Sequence, residues 1–258
     1  MADAAKGAAS AVRMVNARGG AVMPALGLGT WRMGLDPAQR RAELAALKLG
    51  LDLGLTLLDT AESYADGGAE ELVGRAIKGR RDDVYIVTKV KSINASRAGT
   101  LEAAERSLKR LATDRIDLYL LHTVSKHPLE DTLESLERLV EQGKIRHYGV
   151  SNFDFAQMTA MEQLPLGRKV VSNQLMYSLL WRSLEHKLLG WCAENGVSIM
   201  AFSPLDEGRL LPPKPALRAV AKRHGVTPAT IAIAWTIRHP LIVSIPKAAR
   251  QRHVREVA

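Results

Sequence analysis

Short apolar runs recur along this chain, and after each of them apolar residues return every third or fourth position. The runs are ALGLGT (25–30), LTLLDT (55–60), VYIVTK (84–89), IDLYLLH (116–122), IRHYGVS (145–151), KVVSNQ (169–174), VSIMAFS (197–203) and LIVSIP (241–246). Several carry polar residues only at their C-terminal ends, as strands of a parallel sheet do when both faces are buried. The stretches between them read as helices with marked ends. DPAQRRAELAALKLGLDLG has Asp36 as N-cap, Pro37 as first helical residue and an apolar stripe of Leu44, Leu47 and Leu51. HPLEDTLESLERLVEQG opens on proline, places Leu129, Leu133, Leu136 and Val140 on one face and stops at Gly143. SLEHKLLGWCAENG stops at Gly196, and TPATIAIAWTIRHP takes Thr227 as cap, Pro228 as first residue and ends before Pro240. Eight strand–helix units with no Pro/Gly/Ser-rich linker predict an α/β fold, one (β/α)8 TIM barrel occupying 1–258. Ahead of the first strand, two short apolar stretches flank NARGG in VRMVNARGGAVMP, which predicts a hairpin closing the bottom of the barrel. Residues 1 to about 11 are expected to form a flexible leader.

Composition narrows the classes without changing this picture. The apolar fraction of 47% suits a globular chain, and no window holds the uncharged apolar residues of a membrane span. With one cysteine, Cys192, no internal disulfide can form, which suits a reducing cytoplasm; its setting in LLGWCAENG predicts a thiol packed as a small hydrophobe. The formal charge of +9 is dispersed through helices in pairs such as 40–41 and 109–110, and aromatics are only 5% of the chain. That is not the interleaved basic and aromatic surface of a nucleic-acid binder, and it favours instead a small ligand bearing phosphate.

In a barrel of this kind the working residues lie at the C-terminal ends of the strands. Those ends offer Asp59 with Tyr64 just beyond, Lys89, His122, Ser151 with Asn152, Asn173 with Gln174, Phe202 with Ser203, and Lys247. Each alone has a plain structural use: an aspartate capping a turn, a half-buried phenol, a snorkelling lysine, a hydrogen-bonded histidine. Together on one rim they make a proton-handling set, in which the lysine is expected to lower the phenol's pKa and the aspartate to keep the lysine charged. Other chemistries fit less well. GLGTWR lacks the third glycine of a dinucleotide fingerprint, there is no GxSxG, and His122 and His127 have no carboxylate at ligand spacing, so no metal site is expected.

The stretches DTAESY (59–64) with EELVGRAI after it, IVTK ending at Lys89, DLYLLH ending at His122, GKIRHYGVSNF (143–153) and IPK (245–247) resemble the aldo-keto reductase family, in the same order and from about residue 12 to the end. GLGTW, YADGGAEE and IPKAA are most similar to bacterial members that reduce small aldehydes and ketoaldehydes such as methylglyoxal. The resemblance implies an NADPH-dependent carbonyl reductase, usually monomeric. Tyr64 would be the general acid, Lys89 paired with Asp59 would tune it, and His122 would orient the carbonyl. Ser151, Asn152 and Gln174 would hold the nicotinamide carboxamide, Phe202 would stack on the ring, and Gly29, Thr30 and Trp31 would border the same ligand. Ser203, Pro204, Leu205 and the loop to Gly208 would meet the pyrophosphate. Lys247 would contact the 2′-phosphate, with Arg250, His253 and Glu256 near the adenosine. A cofactor-binding regulatory barrel with little turnover is the alternative.

Three features depart from the family pattern. Thr123 stands where an aromatic usually follows the histidine, which should widen one side of the pocket. His253 and Val257 replace the usual arginine and asparagine, with Arg250 or Arg252 left to supply the charge. The sequence stops at Ala258, which predicts a last helix of barely two turns and a substrate site more open than usual.

Overall fold

The barrel strands are buried on both faces, and their side chains divide between two clusters. In the computed structural model, which describes residues 12–211 and 214–258, alternate residues point into the barrel or out toward the helices. The expected leader lies outside the described residues. Two short strands, β1 (Met14–Asn16) and β2 (Val22–Pro24), pair antiparallel across a turn in which Gly19 and Gly20 are left-handed. Eight parallel strands follow: β3 (Gly27–Gly29), β4 (Leu57–Asp59), β5 (Tyr85–Val90), β6 (Ile116–Leu121), β7 (Ile145–Ser151), β8 (Ser172–Met176), β9 (Ser198–Phe202) and β10 (Ile242–Ser244). They pair in chain order, and parallel bridges between Leu26 and Ser244 and between Gly29 and Lys247 close the last strand onto the first. All eight expected strands are present. The sixth sits later than its apolar run predicts, because Lys169 ends a 3-10 turn and pairing begins only at Ser172.

The inside of the barrel is filled in layers. Val15, Ala21 and Met23 of the hairpin pack under Leu57, Val87, Leu118, Met200 and Val243, so the hairpin does close the bottom. Arg18 fastens its tip, donating to the carbonyls of Val170 and Gly167 and pairing with Glu162 at 2.8 Å. Two residues further up the same inward faces the layer turns polar: Asp59 follows Leu57, Lys89 follows Val87, and Gln174 lies opposite Met200. The outward faces pack against a helical ring formed by α1 (Arg40–Asp52), α2 (Gly68–Ala76), α3 (Arg97–Leu111), α4 (Leu129–Glu141), α5 (Phe155–Glu162), α6 (Leu188–Glu194), α8 (Pro228–Thr236) and α9 (Gln251–Val257), with α7 (Pro215–His224) packed on α8. Two helices, α7 and α8, fill the connection after β9.

Several helix ends differ from expectation. Asp36 does cap a turn, accepting from the Ala38 amide at 2.9 Å, but residues 37–39 form only that turn and α1 starts at Arg40. The stretch around Cys192 is a 3-10 turn followed by α6, broken at Lys187, whose backbone is not helical. Thr227 caps α8 as expected, its hydroxyl accepting from Thr230 N at 3.1 Å. The last helix has two turns and buries Val254 and Val257 against α1 and α8. Cys192 is fully buried, and burial pushes its thiol up to about 12. Among the described residues no helix is long and apolar enough to cross a membrane.

Candidate active site

The loops at the C-terminal ends of the strands surround a cavity of about 530 Å³. The backbone marks the same face. Of eight non-glycine residues with positive φ among the described residues, Arg32, Ala65, Asp66, Asn152, Ser203, Asp206 and Glu207 all follow barrel strands here, and only Ala112 does not. Side chains resist this conformation, so seven such residues around one cavity mark loops shaped for a site.

At the cavity floor, Lys89 is completely buried. Its Nζ donates to Asp59 Oδ1 at 2.8 Å and to the Thr60 carbonyl at 2.7 Å, and lies 3.5 Å from the Tyr64 hydroxyl. Gln174 Nε2 donates to the same Asp59 oxygen at 2.7 Å. A buried charge is tolerated only when paired and hydrogen-bonded, and this ammonium has both kinds of partner. Burial disfavours charge on Lys89, but Asp59 and the phenol outweigh it and raise its pKa. Burial likewise raises Asp59, with Lys89 and Gln174 pulling the other way.

Tyr64 sits at the start of a turn that continues through left-handed Ala65, Asp66 and Gly67 into α2. Lys89 pulls the Tyr64 pKa down as expected, but the net shift is upward. Burial is the larger effect and Asp59 adds to it, so the phenol lies above the ordinary tyrosine value despite the ammonium. The Tyr64 and His122 rings meet edge to face at 5.8 Å. Burial, together with Lys89 and Lys91, lowers His122 to about 4, so its imidazole is neutral near pH 7. Asn152 Nδ2 donates to the His122 carbonyl at 3.0 Å and to Ser151 Oγ at 3.1 Å, and Ser151 Oγ donates to the Gln174 carbonyl at 3.0 Å.

Of the residues singled out in the sequence, Asp59, Tyr64, His122, Ser151, Asn152 and Gln174 line this floor. Gly29, Trp31, Phe202, Ser203, Pro204, Leu205, Gly208, Lys247, His253 and Glu256 line the walls. Five others lie elsewhere. Lys89 stands behind Asp59 and Tyr64. Thr30 is fully buried, its amide and hydroxyl both donating to the Asp59 carbonyl at 2.9 Å, so it ties two strand ends together without reaching the cavity. Arg250 is the exposed N-cap of α9, off the wall because its extended backbone precedes the helix that carries His253 and Glu256 inward. Thr123 is exposed and does not border the cavity. Asn173 faces away and donates to the Phe153 carbonyl.

Sequence reasoning missed Arg32, which lines the cavity with its guanidinium 4.2 Å from the centre of the Trp31 ring. Neither Arg32 nor Lys247 has an ion-pair partner among the described residues. Burial and Arg32 lower the Lys247 pKa, with Glu43 opposing. A polar residue directly after the TW pair of the first loop was the available signal. Glu207, Ile245 and Pro246 also line the walls. Among the described residues no three His, Cys, Asp or Glu side chains stand close enough to hold a metal.

Residues 25–258 match the family model described as the aldo/keto reductase family. The chain belongs to the aldo/keto reductase family. It is an oxidoreductase of that family, and its relatives agree along nearly the whole length. Methylglyoxal reductase YeaE of Escherichia coli is 45% identical over 250 residues, covering 95% of this chain and 88% of the relative. Glyoxal reductase of Bacillus subtilis is 33% identical over 249 residues, covering 95% and 85%. Among solved structures, an aldo/keto reductase from Klebsiella pneumoniae in complex with NADP and acetate superimposes with a TM-score of 0.91 at 46% identity, covering 95% of this chain and 88% of that one.

Proposed function

We propose that this aldo/keto reductase reduces small aldehydes and ketoaldehydes, methylglyoxal among them, to alcohols with NADPH. One observation carries the reading: a single buried ammonium, Lys89, touches both Asp59 and the Tyr64 hydroxyl, and His122 stands beside that phenol on the cavity floor. The names of the Escherichia coli and Bacillus subtilis relatives support the substrate class, and the Klebsiella complex supports the cofactor.

The donor set fits NADPH. Arg32 and Lys247 are cations facing one cavity without ion-pair partners among the described residues, as suits a phosphate-bearing ligand. Asn152 and Gln174 spend their amide N–H groups on protein acceptors, so their carbonyl oxygens remain to accept from a carboxamide. Phe202 offers the ring for stacking, and the turn from Ser203 through Pro204 and Leu205 to Gly208 would border the pyrophosphate. Lys247, His253 and Glu256 would lie toward the adenosine end.

Bound NADPH would supply the hydride that reaches the carbonyl carbon. Tyr64 donates its proton to the carbonyl oxygen as that oxygen gains negative charge, and its raised pKa keeps the proton in place until then. Lys89 stabilises the phenolate left behind, and Asp59 holds Lys89 against the phenol. Neutral His122 donates a second hydrogen bond to the same oxygen, and the phenolate regains its proton from solvent. The test is NADPH oxidation on mixing with methylglyoxal. Tyr64→Phe should slow turnover by at least ~100-fold while NADPH still binds. Binding of NADPH with no oxidation across a panel of small aldehydes overturns the reading.

A further inference from the structure

His122 is held from three sides. Its amide donates to the Val90 carbonyl at 3.0 Å and its carbonyl accepts from Asn152 at 3.0 Å, which fix the backbone. The ring has one side-chain hydrogen-bond partner among the described residues, Ser63, whose Oγ lies 3.3 Å from Nδ1. That hydroxyl has no other partner there, and Ser63 directly precedes Tyr64 in the turn after β4. Nε2 has none and is left for the cavity that His122 lines.

A neutral imidazole carries one donor and one acceptor nitrogen, and the hydrogen bond at one decides the state of the other. If Nδ1 held the proton and donated it to Ser63, Nε2 would present a lone pair to an incoming carbonyl oxygen and repel it. If Ser63 donates to Nδ1, Nε2 must carry the proton and becomes a donor. The charged groups around the ring, Lys89 and Lys91, are both cations and oppose a second proton. The imidazole therefore cannot escape the choice by becoming imidazolium at neutral pH.

We propose that Ser63 is a positioning residue that donates to His122 Nδ1 and so fixes the tautomer whose Nε2–H faces the substrate carbonyl. The assignment rests on the carbonyl-reductase reading, but its decisive readout does not need turnover. In the full-length protein labelled with 15N-histidine, the His122 signals are identified among the seven histidines by their loss in His122→Asn. The wild type should show protonated Nε2 and unprotonated Nδ1 at neutral pH. Ser63→Ala should convert the site to a mixture of tautomers, and Ser63→Thr should restore the wild-type pattern.

In kinetics, Ser63→Ala should lower kcat roughly five- to tenfold, the worth of about one hydrogen bond, with the KM for NADPH unchanged. Protonated Nδ1 in the wild type, or a Ser63→Ala protein with an unaltered tautomer, overturns the assignment whatever the rates do. Failure of the wild type to oxidise NADPH with any small aldehyde would instead strike the proposed function and leave the tautomer result standing.

Discussion

At the scale of single residues, the site works by keeping protons where solvent would not. Burial holds Tyr64 above its ordinary value and His122 down at about 4, so between these limits the phenol is protonated and the imidazole neutral. Reduction rates should therefore be flat from about pH 5 to 9, falling in acid as His122 charges and in base only above the usual tyrosine range of about 10. A fall centred near pH 6.5 would contradict it. Stability carries the same signature. Between pH 6.5 and 4 the unfolded histidine takes up a proton that the folded one refuses, so stability is full above 6.5 and lost as pH falls toward 4. His122 contributes up to about 3 kcal/mol of that loss, and His122→Asn should remove this part, as denaturant titrations at the two ends of the window would show. Lys89 carries a different load. Lys89→Met keeps most of the length of the side chain but leaves the buried Asp59 carboxylate without its ion-pair partner, so it should cost about 3–5 kcal/mol in unfolding free energy as well as turnover. Lys89→Met with wild-type stability would mean that Asp59 is already protonated in the native state.

At the scale of elements, the strands were legible because burial on both faces writes unbroken apolar runs, and their polar last residues marked the rim. Gln174 was found although β8 was placed too early, because the register shift left it facing inward beside Met200. Thr30 and Arg250 were misplaced because chain position gives no sign of which way a loop residue turns. The Tyr64 pKa was misjudged for a related reason: sequence names the neighbouring charge but not the depth of burial that outweighs it. Other features carried a local cause that could be read afterwards. The glycine in EELVGRAI is one: a Cβ on Gly74 would stand 2.7 Å from the Leu111 carbonyl oxygen and 2.8 Å from that of Arg110, so α2 approaches the end of α3 too closely for any side chain. Both obstacles are backbone and cannot swing aside. Gly74→Ala should therefore destabilise by about 1–3 kcal/mol through overpacking, despite alanine's better helix propensity. Thermal unfolding decides it, since an exposed helical glycine would give a gain in Tm where this one should give a loss.

At the scale of the whole molecule, the cavity is assembled from both ends of the described chain. The Gly29 amide donates to the Pro246 carbonyl and the Ser244 amide to the Ala25 carbonyl, so the closing seam of the barrel runs beneath the wall that presents Trp31, Arg32 and Lys247. The last helix adds His253 and Glu256 to that wall while Val254 packs on α1. A ligand filling the cavity would thus bridge the first loop, the turn after β9 and α9, which in the unfolded chain are far apart. Binding to the folded state alone adds RT ln(1 + [L]/Kd), about 2.7 kcal/mol at a hundredfold excess over Kd, and the midpoint of unfolding should rise with NADPH concentration. Tyr64→Phe should keep this rise, because the phenol acts on the carbonyl. Lys247→Met should shrink it for NADPH while leaving the smaller rise with NADH nearly unchanged, if the ammonium meets the 2′-phosphate that distinguishes the two. Equal losses with both cofactors would move Lys247 to a phosphate they share, and the preference for NADPH would then have to be sought in Arg32 or the residues of α9.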